Sequence, residues 1–118
     1  MSIKIRTALN GTIGIIEVKG SLVGDETTDE FRSAVTDFLE QGIKSLVINL
    51  QKVNYLNSSG IGAIISAHTH YAKNGGMVKL AGISNNVQNL FIVTKLMDIF
   101  DVYNNLDEAV ENFTKLKS

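Results

Sequence analysis

The chain has 118 residues, 44% hydrophobic and 19% charged, which is the balance of one globular domain with a single core. A formal net charge of −1 excludes the strong field that would draw a protein to nucleic acid or to an anionic membrane. There is no cysteine, so neither a disulfide framework nor a thiolate metal site is possible; no apolar run is long enough to span a bilayer, and the opening MSIKIRTALNG lacks the apolar stretch of a signal peptide, so a cytoplasmic location is expected.

No linker, low-complexity tract or internal repeat interrupts the chain, and with no proline the boundaries are marked by glycine, asparagine and helix caps. Ile3 and Ile5 alternate with polar residues as in a short strand. Asn10-Gly11 is a two-residue hairpin signal, because both positions of a type I′ turn need positive φ, and residues 12–18 form the returning strand. Residues 20–25 read as a loop. Thr27 and Glu30 have the spacing of a capping box. Phe31, Ala34, Val35, Phe38 and Leu39 then make one apolar helix face, with Gly42 placed as the C-terminal cap glycine.

SLVINL, residues 45–50, is mostly apolar rather than alternating, which suits a strand covered on both faces. A second helix starts near Ser58, with Ile61, Ile64, Ile65, His68 and Ala72 expected on its inner face and Gly75-Gly76 at its end. Residues 77–81 are a further strand. Ser84 to Asn86 can cap a third helix that buries Val87, Leu90 and Phe91, and residues 99–103 are a last strand or extended segment. Asn105 with Glu108 resembles another capping box, and Leu106, Ala109, Val110, Phe113 and Leu116 form the stripe of a final helix. The order ββαβαβα(β)α is that of an α/β domain: a mixed sheet of about four or five strands, an N-terminal antiparallel hairpin, and about four helices.

No catalytic constellation emerges. His68 and His70 are two apart on one helix and point to different faces, so they make neither a metal pair nor a base for Ser58 or Ser59, which lie roughly 14–18 Å away at 1.5 Å rise per residue. The Gly60-Ile61-Gly62 stretch has neither the lysine of a phosphate-binding loop nor the third glycine of a dinucleotide fingerprint. Asp25-Glu26 precedes a helix, where acids complement the helix dipole, so no metal is expected. Asn49, Asn54 and Asn57, rather than an aspartate, stand at the end of the central strand, which argues against a phosphoaspartate receiver. The chain is therefore expected not to be an enzyme.

The NSSGIG turn, residues 57–62, is the informative stretch. Ser58 is a good N-cap with Ser59 entering the first turn. A cap does not account for Gly60 and Gly62, each costing up to about 1 kcal/mol relative to alanine inside a helix. Glycines there are understandable where a backbone or a partner must approach closely. A phosphate on Ser58 would meet the favourable N-terminal end of a helix while adding about −1.5 to −2 charge and three acceptor oxygens to a small neutral surface.

The closing VKGSLVGDET of the hairpin, the strand IKSLVINLQKVNYL, the NSSGIG turn, the Gly-Gly before MVKLAGIS and the segment NNVQNLFIVTKLMDIF together resemble the anti-sigma-factor antagonists of the STAS domain family, over nearly all of residues 1–118. The resemblance implies a bacterial partner-switching module. The unphosphorylated antagonist binds an anti-sigma factor that is also an ATP-dependent serine kinase, and the sigma factor is released. Phosphorylation of a serine in the turn dissolves the complex, and a metal-dependent serine phosphatase resets it. On this resemblance Ser58 is the phosphoacceptor, with Ser59 the second choice. Ser21, Leu22, Val23, Gly24 and Asp25, with Asn57, Ser59, Gly60, Ile61 and Gly62, form the contact surface. The chain itself needs no cofactor, because the ATP belongs to the kinase, and a monomer or weak dimer is expected. Asn57 stands where the family commonly has aspartate; it keeps the shape and hydrogen-bonding reach but lacks the charge. The alternative is a STAS scaffold that is never phosphorylated, a subunit of a signalling or lipid-transport assembly in which Ser58 is only a cap.

Overall fold

The computed structural model describes residues 2–115. Five strands lie in the order β1-β2-β3-β4-β5: β1 (Ser2–Ala8), β2 (Ile13–Leu22), β3 (Ser45–Leu56), β4 (Met77–Ala81) and β5 (Asp101–Tyr103). β1 and β2 are antiparallel, and every later neighbour pair is parallel. The four helices are α1 (Glu26–Glu40), α2 (Ser58–Lys73), α3 (Asn85–Val93), which is followed by a 3₁₀ turn at Leu96–Asp98, and α4 (Leu106–Lys115). Each parallel crossover thus carries a helix, as parallel pairing requires.

The hairpin closes as its Asn-Gly dictates. Asn10 and Gly11 take φ of 58° and 80°, and Thr12 N–H donates to the Leu9 carbonyl at 3.2 Å. Leu9 is also left-handed, so the strand ladder ends one pair earlier, at Ala8 and Ile13. β2 runs further than its apolar pattern suggests. It reaches Leu22, with register shifts between Glu17 and Lys19 and between Gly20 and Ser21, and only residues 23–25 are loop.

β3 is the central strand, and the mostly apolar character of its first half follows from cover on both sides. Leu46, Ile48 and Leu50 join the larger core with Phe31 and Phe38 of α1, Ile64 and Tyr71 of α2, and Phe91 of α3. Val47 faces the other way, into a smaller cluster with Ile13, Ile15 and Ala81 and with Ala109 and Phe113 of α4. On that second face Lys79 is 1% exposed; its Nζ donates to Asp101 Oδ2 and to the Tyr103 hydroxyl, both at 3.1 Å. Leu116, expected to continue the α4 stripe, lies outside the described residues.

Helix starts show where local pattern and structure diverge. The expected Thr27–Glu30 capping box does not form. Asp25 is the N-cap of α1, its Oδ1 accepting from Thr28 N–H at 3.5 Å, and both threonines are buried. At the other end α1 terminates as expected, with Gly42 at φ +79° and the Ile43 N–H returning to the Phe38 carbonyl, a Schellman closure. α3 is capped by Ser84, which accepts from Val87 N–H at 3.4 Å. Asn105 accepts from Glu108 N–H at 2.9 Å, while the Glu108 carboxylate reaches the N–H of Asn104 rather than of Asn105.

The inner face of α2 is rotated from the expected one. Gly60, Ala63, Ile64, Ala67 and Tyr71 are buried, whereas Ile65 and Ala72 are exposed and Ile61 and His68 are half-buried. Three of those five buried positions are glycine or alanine, so larger neighbours on the flank dominate the sequence pattern. His68 meets the edge of Phe100, ring centroids 5.2 Å apart, and His70 is exposed.

Candidate functional site

β2 and β3 end side by side, Ser21 opposite Tyr55 and Leu22 opposite Leu56. The loop into α1 and the turn into α2 therefore leave the same end of the sheet together. This brings residues 21–25 against residues 57–62, two segments separated by the whole of α1 and the whole of β3.

The side chain that joins them is Asn57. It is the N-cap of α2, so the expectation that Ser58 caps this helix is corrected. Asn57 Oδ1 accepts from Gly60 N–H at 3.0 Å, its Nδ2 donates to the Val23 carbonyl at 3.0 Å, and its backbone N–H donates to the Leu22 carbonyl at 3.3 Å. Asparagine, aspartate and serine are about equally favoured at an N-cap, so the string Asn-Ser-Ser does not reveal which of the three takes the position.

Capping by Asn57 places Ser58 and Ser59 as the first two helical residues, both exposed. Their surroundings differ. A methyl group on Gly24 would come within 2.9 Å of Ser59 Cβ and 3.1 Å of Ser59 Oγ, so the loop backbone passes close to Ser59. No acidic residue occupies the first turn of α2, in contrast to Glu26 and Asp29 in the first turn of α1.

The two glycines have separate explanations. Gly60 is buried, and a Cβ there would run into the Leu22 carbonyl group and side chain. Its absence of a side chain is an internal packing requirement. A Cβ on Gly62 would meet nothing within 4 Å, so packing within this chain does not call for glycine there.

Two expected contact residues are placed differently. Leu22 has 0% exposure and belongs to the core, and Gly60 is sealed beneath it; neither can present itself to a partner. Ser21, Val23, Asp25, Asn57, Ile61 and Gly62 are half-buried, and Gly24 and Ser59 are exposed. Tyr55, not singled out by the sequence pattern, is 59% exposed beside this surface, opposite Ser21. Its signal was its place as a large aromatic two residues before the turn. No helix among the described residues is long and apolar enough to cross a membrane.

Three comparisons extend this picture. An anti-sigma-B factor antagonist of Staphylococcus aureus is 26% identical over 102 residues, covering 86% of this chain and 94% of its own. The structure of an anti-sigma-factor antagonist (STAS) domain protein from Planctomyces limnophilus superposes with a TM-score of 0.80 at 15% identity, covering 95% and 97% of the two chains. The Bacillus cell fate determinant SpoIIAA in its phosphorylated form superposes with a TM-score of 0.77 at 16% identity, covering 95% and 99%. At these identities the two structures speak to the fold alone. The family model of the STAS domain matches residues 4–109, nearly the whole of the described chain, and the protein belongs to the STAS domain family.

Proposed function

We propose that this chain is an anti-sigma-factor antagonist, switched off by phosphorylation of Ser58. The observation that supports this most is the start of α2: an exposed serine in a first turn free of acidic residues, beside an exposed loop and an open Gly62. The name of the Staphylococcus aureus relative supplies the partner class, an anti-sigma factor, and the phosphorylated SpoIIAA structure shows that a protein of this fold takes a phosphate. In this reading the chain binds an anti-sigma factor that is also a serine kinase and frees a sigma factor; a serine phosphatase reverses the modification. The kinase holds the ATP, and this chain contributes a hydroxyl and a surface rather than catalysis.

The physics of the switch is local. A phosphate on Ser58 sits where helix N–H groups and the dipole favour an anion, so the fold tolerates it. A partner fitted to small neutral residues instead meets about −1.5 to −2 charge and must leave that charge desolvated and unpaired. Ser59, equally exposed, is the second choice; the Gly24 backbone passes near its Cβ and Oγ.

The test is to incubate the protein with ATP and the anti-sigma factor of its own genome, then follow intact mass, peptide 53–73 and complex formation. The expected result is one phosphate on Ser58 and loss of the complex, with Ser58→Ala still binding but unmodified. A stable complex with no phosphate would favour the non-phosphorylated scaffold reading, and no complex in either state would overturn the proposal.

A further inference from the structure

The two faces of the sheet are covered unequally. α1, α2 and α3 pack on one, whereas α4 alone packs on the other, over β3, β4 and β5. On that second face Arg6 stands opposite Ile15 in the β1–β2 ladder, since cross-strand partners share a face. Between α4 and the hairpin runs a groove of about 350 Å³. Buried Ile15 and half-buried Leu106 and Val110 give it an apolar lining. Exposed Arg6 comes to it from the β1 side, and exposed Asp107 and, one turn on, Glu111 from the α4 side. Two of its features have no explanation within one chain. Arg6 and Asp107 line the same groove, yet the ion pairs among the described residues, Lys52–Glu17 and Lys79–Asp101, include neither. Leu9, also on the groove, is 46% exposed and held at φ +52°, a left-handed conformation unfavourable for a bulky residue.

We infer that this groove is the contact surface for a second copy of the chain, a twofold dimer in which Arg6 of each copy meets Asp107 of the other and each Leu9 is covered. A twofold contact must be self-complementary: the same patch carries both members of every pair. The groove meets that requirement in charge, with a cation on one side, acids on the other and an apolar lining between them. A rim of a single sign would instead call for a partner of the opposite charge. Edge-to-edge pairing of two β1 strands is disfavoured, because the antiparallel registers centred on Lys4, Ile5 or Arg6 each set Lys4 or Arg6 opposite a like charge. The inference does not rest on the proposed phosphorylation. The hairpin tip lies at the opposite end of β2 from Ser21 and Leu22, so the dimer leaves the Ser58 surface of each copy uncovered.

The test is sedimentation velocity from about 10 μM to about 1 mM, the range in which a contact of micromolar to millimolar affinity shows. The wild type is expected to pass reversibly from monomer to dimer. Arg6→Glu and Asp107→Arg each set like charges together across the contact, and each is expected to weaken association at least about tenfold. Mixed in equal amounts, the two variants are expected to dimerise again, because the new carboxylate of one then faces the new guanidinium of the other. Leu9→Asn places a residue that suits left-handed φ at the same position, and is expected to weaken the dimer by a similar factor without lowering the melting temperature. A wild type that stays monomeric throughout overturns the inference. So does a mixture no more associated than its components, which would confine both charges to roles within one chain. Assembly beyond the dimer overturns the twofold arrangement, and a Leu9→Asn dimer as strong as the wild type places the contact elsewhere on the molecule.

Discussion

α1 and α2 both contribute to the larger core and both start with an Asx cap, yet their first turns are built for different ends. α1 opens with Asp25 and follows it with Glu26 and Asp29, acids placed where the helix dipole favours them. Its inner face carries Phe31, Val35 and Phe38. α2 opens with a neutral Asn57, two serines and two glycines, and its inner face carries Gly60, Ala63, Ala67 and a tyrosine. α1 thus has the features of a helix selected for stability at both ends. α2 has weaker helix formers and an uncharged start, and its first turn packs against the neighbouring loop with Ser58 exposed.

The sharpest way to break this contrast is at Gly60. Gly60→Ala pushes a methyl group into the Leu22 carbonyl, a backbone group that also receives Asn57 N–H. A loss of about 3 kcal/mol, or about 10 °C in Tm, is expected by thermal melting. Gly62→Ala, two residues on, should instead raise stability by up to about 1 kcal/mol, because its methyl meets nothing and alanine is the better helix former. Equal effects at the two positions would show that Gly60 is not a packing requirement.

A smaller effect is expected at the far end of α2. Tyr71 is fully buried, its hydroxyl has no hydrogen-bond partner among the described residues, and burial pushes its pKa up from 10.0 to about 12. Tyr71→Phe should therefore stabilise by about 1 kcal/mol at neutral pH. The pH dependence has a defined sign. The folded pKa lies above the unfolded one, so the neutral phenol's contribution is complete below pH 10 and is lost as pH rises from there towards 12. Alkaline melts of Tyr71→Phe should lack that part of the decline; an identical alkaline slope in both proteins would remove Tyr71 as its source.

The smallest expected effect is at Ser58 itself. Since Asn57 is the cap, Ser58→Ala should change stability by no more than about 0.5 kcal/mol, whereas Asn57→Ala should cost about 1–2 kcal/mol. A Ser58→Ala melt that falls as far as the Asn57→Ala melt would return the cap to Ser58.

Much of this molecule was legible in the residues. The Asn10-Gly11 turn, the apolar run of β3, the stripe of α1 and its Gly42 closure all follow from interactions within a few residues of one another, which is the range over which periodicity and turn chemistry act. The N-terminal half of the turn was legible in kind but not in detail, since three successive residues could each have capped α2.

What only the tertiary structure decided was set by contacts distant in sequence. The burial of Gly60, the exposure of Ile65 and the full extent of β2 depend on where the β2 end lies against the α2 start. Lys79, a charge in the middle of a buried strand, is explained only by Asp101, Tyr103 and Phe113 arriving from later in the chain. Asn57 combines both kinds of information. Its aptitude as a cap is a property of the residue type and its position before a helix. Its second bond, to Val23, spans 34 positions of sequence, because β2 and β3 end at the same level of the sheet.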